Sequence, residues 1–306
     1  MRILVTGVSG QVGGALAPRL EVAGSVIGCD SKSVDLAKPD LLPAALDRLA
    51  PDLIVNAAAY TAVDRAEDEP DLAAAVNAAG PAAIARWAGP RAVPLIHFST
   101  DYVYGGEGER PWREDDAPRP LNVYGASKLA GDSAVLAAGG SPLILRTSWV
   151  YAARGRNFLR TIAALARERR ELRVVADQIG APTSAALLAD AVSRIVAEGL
   201  PALRGRSARA NGLVHLAASG ETSWHGFACA NVEGQRARGV PLAVERVLAI
   251  RSEDYPTRAR RPRNSRLDLT RAREVFGMKP LPWRDGLVPE LDRLAAEYRT
   301  AATKTH

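Results

Sequence analysis

A phenol and an ammonium four residues apart are the most chemically suggestive feature of the chain: Tyr124 and Lys128, in the stretch Tyr-Gly-Ala-Ser-Lys. The stretch reads as the start of a helix, where positions i and i+4 share a face. A free tyrosine titrates near ~10 and is a poor acid or base at neutral pH. A lysine beside it favours the phenolate and lowers that value. The phenol can then give a proton to a developing alkoxide or take one from an alcohol. Short patterns of this kind also occur by accident on helix surfaces, so the weight of the pair depends on what precedes it.

What precedes it is a series of strands and helices. Arg2 to Thr6 is a short apolar run suited to a buried parallel strand. Gly7, Gly10 and Gly13 then punctuate a turn ahead of a helical stretch reaching about Ala23. Strand, glycine turn and helix together suit a pyrophosphate resting on a helix N-terminus, with Gln11 and Val12 in the turn. The spacing is Gly-x-x-Gly-x-x-Gly, and the competing reading is a plain turn. A second strand, Ser25 to Asp30, ends in a carboxylate 23 positions after Gly7, near the offset for an acid on the adenosine ribose. Asp30 there favours NAD, while Lys32 could neutralise the 2′-phosphate of NADP; a turn residue is the bland alternative.

Further strands are expected at Leu53 to Asn56, Pro94 to Ser99 and Leu143 to Thr147. Helices are expected at Pro39 to Leu49 and at Pro70 to Ala88, the latter bent at Gly80-Pro81. The alternation implies an α/β fold, a doubly wound parallel sheet of Rossmann type, with ligands beyond the carboxyl ends of the strands. The glycine turn, Asp30, Ala59, Thr100, Trp149 and the Tyr124 helix should converge on that edge. Residues 1–150 form the expected dinucleotide-binding domain. Residues 151–306 form mainly a second, smaller α/β domain for substrate. Leu172 to Val175 as a strand and Ser184 to Ala197 as a helix suggest a return to the first domain near 171–200.

Composition sets outer limits. The 306 residues carry 40 Lys and Arg against 34 Asp and Glu, a net +6 with interspersed signs. This suits anionic small ligands and does not form a nucleic-acid surface. Cys29 and Cys229, far apart in sequence, and His97, His215, His225 and His306 give no metal-ligand spacing, and His215 reads as a core histidine. No apolar run approaches membrane-spanning length, and the first strand leaves no room for a leader, so a cytoplasmic protein is expected.

Several segments are similar to the dTDP-4-dehydrorhamnose reductases, a group of the extended short-chain dehydrogenase/reductase family. They include Thr6 to Gly13, Val55 to Asp64, Ser99-Thr-Asp-Tyr-Val-Tyr104, Leu121 to Gly125, Arg146-Thr-Ser-Trp-Val-Tyr151, Asp177 to Thr183 and Arg261 to Leu267. The resemblance implies reduction of the C4 ketone of a dTDP-4-keto-6-deoxy sugar, with NADPH or NADH as cofactor and a nucleotide sugar as partner. It implies Tyr124 as proton donor, Lys128 on the nicotinamide ribose, and Thr100 on the substrate oxygen in place of the usual serine. Asp101 and Trp149 would line the sugar pocket. Gly10, Gln11 and Val12 would meet the pyrophosphate, Asp35 and Leu36 the adenine, and Ala59, Tyr60 and Thr61 the cofactor's edge. A sister reductase of another deoxysugar pathway, or a nucleotide-binding regulatory subunit without turnover, are the alternatives.

The run Arg258, Arg260, Arg261, Arg263 and Arg266 could clamp a diphosphate, with Arg261 the chosen candidate, or be a solvated basic face. Arg263 replaces a family glycine, which could alter the loop or fill part of the pocket. Family members can pair through magnesium on interface glutamates, and the matching residues here are Ala15 and Ala186. No metal is therefore expected, and the chain should be a monomer or a metal-independent homodimer.

Overall fold

Every residue of Arg2–Thr6 (β1) after the first is buried, which is why the run is apolar without alternation: Ile3 and Val5 enter one core layer and Leu4 the other. The computed structural model describes residues 1–303, and His306 lies outside them. The elements that follow are α1 (Gln11–Leu20), β2 (Ser25–Cys29), α2 (Leu42–Leu49), β3 (Leu53–Asn56), α3 (Val63–Ala66), α4 (Pro70–Ala74), α5 (Gly80–Ala88), β4 (Leu95–Thr100), α6 (Val123–Ala137) and β5 (Pro142–Thr147).

These strands form one parallel sheet in the order β2-β1-β3-β4-β5, extended beyond β5 by Leu213–His215. The doubly wound reading is correct. The sheet reverses its winding direction between β1 and β3, and that switch point is where a doubly wound sheet opens a crevice for ligand. Sequence singles out only His215 in this segment, as a core histidine, and the three residues complete the main sheet. His215 there is fully buried between the Tyr104 hydroxyl at 2.7 Å and the Asp268 carbonyl at 3.2 Å, and burial holds its pKa down to about 3.

Two expectations need revision. The bend between α4 and α5 is a π-helical turn at Ala75–Ala79, ahead of Gly80-Pro81, and Pro81 opens α5 without breaking it. The strand Glu171–Val175 does not rejoin the main sheet but pairs in parallel with Arg246–Ile250. The helix Ala185–Ala197 does return, packing Leu188, Val192 and Ile195 with Leu16 and Leu20 of α1. A separate aromatic cluster of Tyr151, Leu159, Phe227, Trp283 and Leu291 holds the C-terminal helices together. No helix among the described residues is long and apolar enough to cross a membrane.

Candidate active site

The glycine turn is built by backbone proximity. Gly7 has φ +71°, and a Cβ there would lie 2.8 Å from the Ala58 backbone, so the loops after β1 and β3 pass in direct contact. That explains the run Ala57-Ala58-Ala59. A Cβ on Gly13 would lie 2.3 Å from the Gly7 carbonyl, which seats α1 tightly under the turn. Such a cradle, at the N-terminus of α1 and the sheet's switch point, fits a dinucleotide pyrophosphate. Arg154 lies over it, its guanidinium donating to the Gly10 carbonyl at 3.0 Å and the Gln11 carbonyl at 3.3 Å. Asn157 donates to the Gln11 side chain at 2.8 Å. These loop residues carry no motif of their own, and the sequence reading missed them.

From this turn a cavity of about 980 Å³ runs past the ends of β3 and β4. Of the expected residues, Gly7, Gly10, Gln11, Val12, Asp35, Leu36, Ala59, Thr61, Thr100, Asp101, Tyr124, Lys128, Trp149 and Arg261 line it. Gly13, Asp30 and Tyr60 do not. Gly13 acts through packing. The Asp30 carboxylate accepts from the backbone of Lys32 at 3.0 Å and of Ser33 at 3.2 Å, closing the turn after β2. Ser31 faces the cavity there instead. Tyr60 turns its hydroxyl to Glu69 at 2.6 Å, while its backbone is gripped at both ends by the Asn77 amide.

Asn77 sits in the π-helical turn, and its amide also donates to Ser127 at 3.0 Å. A Cβ on Gly131 would lie 2.0 Å from the Asn77 carbonyl, so α6 presses directly on that turn. The start of α6 is fixed by Asn122, whose side-chain Oδ1 accepts from Gly125 N at 2.8 Å, and by Glu67, which accepts from Val123 N at 2.9 Å. The helix thus delivers Tyr124 and Lys128 together to the cavity. Lys128 is almost fully buried and donates to the Phe98 carbonyl at 2.7 Å, with His97 Nε2 at 3.3 Å. Burial lowers its pKa to about 8, against the opposing pull of Asp132.

Tyr124 differs from the expectation. Its pKa lies above the ordinary phenol range, because burial outweighs the Thr100 hydrogen bond and Asp101, Tyr102 and Asp132 add negative or polar neighbours. The Lys128 ammonium is turned to Phe98 and does not offset this. Burial makes the phenol a weaker acid, but it keeps its proton at neutral pH, where a still more basic developing alkoxide could take it. Thr100 accepts from Tyr102 N and donates to Asp101, both at 3.1 Å. Burial pushes Asp101 up to about 7, opposed by the neighbouring Ser265 hydroxyl and the Thr100 hydrogen bond, and its second oxygen has no partner.

At the far end, Trp149 stacks on Trp224 with ring centroids 3.6 Å apart. Trp149 has φ +48°, a strained value for a bulky residue, and Gly180 leaves the space its indole needs. Trp224 and Phe158, which pack there, were absent from the sequence reading; lone aromatics at helix starts carry no signal. Of the arginine run, only Arg261 lines the cavity, held by Asp64 at 2.5 Å and near Tyr102 OH at 3.4 Å. Arg258 pairs with Asp68, Arg266 with Glu221 at 2.5 Å, and the Arg260 carbonyl accepts from Asn122. Arg263 is exposed, 3.8 Å from Asp177, so it neither fills the pocket nor strains the loop.

A glycine cradle at the switch point and a Tyr-Lys pair at the same sheet edge define an oxidoreductase of the extended short-chain dehydrogenase/reductase class. Comparison with known proteins narrows this. The sequence profile of the RmlD substrate binding domain matches residues 1–296. The chain is 43% identical to dTDP-4-dehydrorhamnose reductase of Escherichia coli K12, covering 96% of this chain and 98% of that protein. It is 46% identical to the same enzyme of Burkholderia thailandensis, covering 93% and 96%. A crystal structure of the Bacillus anthracis enzyme in complex with NADP superposes with a TM-score of 0.84 at 32% identity, over 97% of this chain and 99% of that one. The chain belongs to the dTDP-4-dehydrorhamnose reductase (RmlD) family.

Proposed function

We propose that the chain reduces the C4 ketone of dTDP-4-dehydrorhamnose to give dTDP-rhamnose, using NADPH or NADH. The observation that carries the reading is the convergence of Tyr124, Lys128 and Thr100 with the glycine cradle in one cavity, in a chain whose relatives of that name match it end to end. The reduced nicotinamide supplies the hydride. Gly7, Gly10, Gln11 and Val12 hold the pyrophosphate on the α1 N-terminus, Asp35 and Leu36 border the adenine, and Lys128 holds the nicotinamide ribose. Thr100 and Tyr124 hydrogen-bond the sugar oxygen as it gains charge, and the Tyr124 phenol then gives it a proton. Trp149 and Asp101 orient the sugar, and Arg261 offers a guanidinium to the diphosphate.

Residues 1–150 carry the cofactor side of this reading, and residues 151–306 mainly the sugar side. The protein is cytoplasmic in this reading. Ala15 and Ala186 line a second surface cavity of about 820 Å³, where their methyl groups offer a metal no oxygen ligand, and the carboxylates that also line it, Glu290 and Glu297, are engaged by Arg293 and Arg160. The protein is therefore a monomer or a dimer independent of magnesium. Light scattering should give one mass with magnesium or EDTA, and a dimer that dissociates on chelation would contradict this. The activity is tested with purified protein, NADPH or NADH and a panel of dTDP-ketosugars, with products identified by NMR. Turnover of another ketosugar only would move the protein to a sister pathway, and no turnover with any would favour a regulatory subunit.

A further inference from the structure

The Lys128 ammonium faces a histidine whose proton position is dictated from the other side. Asn56, at the end of β3, accepts through its carbonyl oxygen from the Thr6 hydroxyl at 2.6 Å and from the Ala58 backbone N–H at 3.2 Å. A backbone N–H can only donate, so the orientation of this amide is fixed. Its nitrogen therefore meets His97 Nδ1, at 3.0 Å, as a donor. Nδ1 must accept, and a neutral imidazole that accepts at Nδ1 carries its proton on Nε2. That Nε2–H points at Lys128 Nζ, 3.3 Å away. An amine can accept this proton while donating to the Phe98 carbonyl at 2.7 Å. An ammonium cannot, since it has no lone pair. Turning the imidazole proton to Nδ1 would only move the donor-against-donor contact to Asn56.

We propose that His97 is a positioning residue of the reductase: Asn56 locks it as the Nε2–H tautomer, and its N–H dipole, aimed at Lys128, holds the lysine's proton affinity down. This rests on the reductase reading for its purpose but not for its geometry. His97 itself stays neutral, because complete burial and the adjacent lysine hold its pKa well below the ordinary value. The other groups around Lys128 are Asp132 and Tyr124 on its own helix, Arg146 on β5, and Asp101 after β4. Asp132 favours the ammonium, but its charge is shared with Arg146 at 3.0 Å. Burial acts in the same direction as the His97 dipole. The lysine is then an ammonium below its lowered pKa, where it can hold a ribose and support the phenol, and an amine above it.

The test reads the tautomer directly. Long-range 1H–15N spectra of protein labelled with 15N-histidine should show His97 protonated at Nε2 and bare at Nδ1 from pH 6 to 9, assigned by its loss in His97→Phe. Asn56→Asp keeps an acceptor for Thr6 and Ala58 but accepts a hydrogen bond from Nδ1–H where the amide donated one, and should reverse the tautomer. In both variants NADPH affinity, followed by fluorescence, should keep its low-pH value but lose affinity at a pH about one unit higher than in the wild type. That shift is roughly tenfold in Lys128 proton affinity. An Nδ1–H tautomer in the wild type would overturn the proposal. So would an alkaline limb that stays in place when Asn56→Asp reverses the tautomer, an outcome readable even if His97→Phe does not fold. Failure of the reductase reading alone would leave the tautomer and the limb as described and abolish only ketosugar turnover.

Discussion

The two ends of the cavity are made differently. The cofactor end is backbone against backbone: Gly7 on Ala58, Gly13 on Gly7, with the glycines present because a Cβ has nowhere to go. The sugar end is side chain against side chain, with Trp149 on Trp224, Arg261 on Asp64, and Asp101 buried with an oxygen unpaired. The first kind of site is set within a few residues of sequence and is generic for dinucleotides. The second is assembled from segments up to 197 positions apart, as for Arg261 and Asp64, and is where the proposed function locates substrate choice. Substitutions should separate the two ends.

The largest effect is expected where the ends meet. Tyr124→Phe keeps the ring and removes the proton, and kcat should fall about a hundredfold or more with NADPH affinity nearly unchanged. Steady-state kinetics with near wild-type turnover would remove Tyr124 from the chemistry. At the cofactor end, Gly7→Ala adds a Cβ 2.8 Å from backbone at a positive φ, a conformation costing an L-residue roughly 1–2 kcal/mol before any clash. NADPH affinity should drop about tenfold or more. An unchanged affinity would mean the loops can part freely.

At the sugar end, Trp224→Ala removes the support of Trp149. KM for the nucleotide sugar should rise about tenfold, with cofactor affinity kept; equal losses of both would erase the distinction between the ends. Asp101 links substrate chemistry to stability. Its folded pKa of about 7 lies above the ordinary 3.8, so the folded state binds the extra proton. Its contribution is complete below about pH 4 and is lost as pH rises to about 7, on the order of 4 kcal/mol in all. Asp101→Asn should flatten that decline and raise the Tm at pH 8, and thermal melts across pH would show a parallel fall in both proteins if this is wrong. The smallest effect belongs to Arg263→Gly. The side chain is exposed and weakly paired, so stability should change by less than about 0.5 kcal/mol and KM hardly at all.

The same contrast governs what the sequence alone could reveal. The strands β1 to β5, the glycine turn and the Tyr124 helix were legible because each is specified locally, by an apolar run, a glycine spacing or an i, i+4 pair. Leu213–His215 was not recognised as a sheet strand, because three residues carry no period and its partner β5 lies about 70 positions earlier. Glu171–Val175 was legible as a strand but not in its pairing, since its partner Arg246–Ile250, an apolar run with no buried residue, lies about 75 positions later and was not recognised as a strand. Asp30 matched the offset of a ribose ligand, yet its carboxylate is taken by the turn it closes. Offset fixes where a residue is, and local hydrogen bonds decide where its side chain points. The downward pull of Lys128 on Tyr124 failed for a related reason: spacing brings the two residues to one face, but β4 offers the ammonium a carbonyl.

The central claim is that the cavity delivers hydride to the C4 ketone of the sugar, with Tyr124 supplying the proton to its oxygen. Reduction of dTDP-4-dehydrorhamnose with NADPH carrying deuterium at both positions of nicotinamide C4, followed by NMR of the product, tests it most directly. The prediction is one deuterium, carried on C4 of the rhamnosyl ring, and the same label at a far lower rate with Tyr124→Phe. Deuterium at any other carbon, or unlabelled product, would contradict the account.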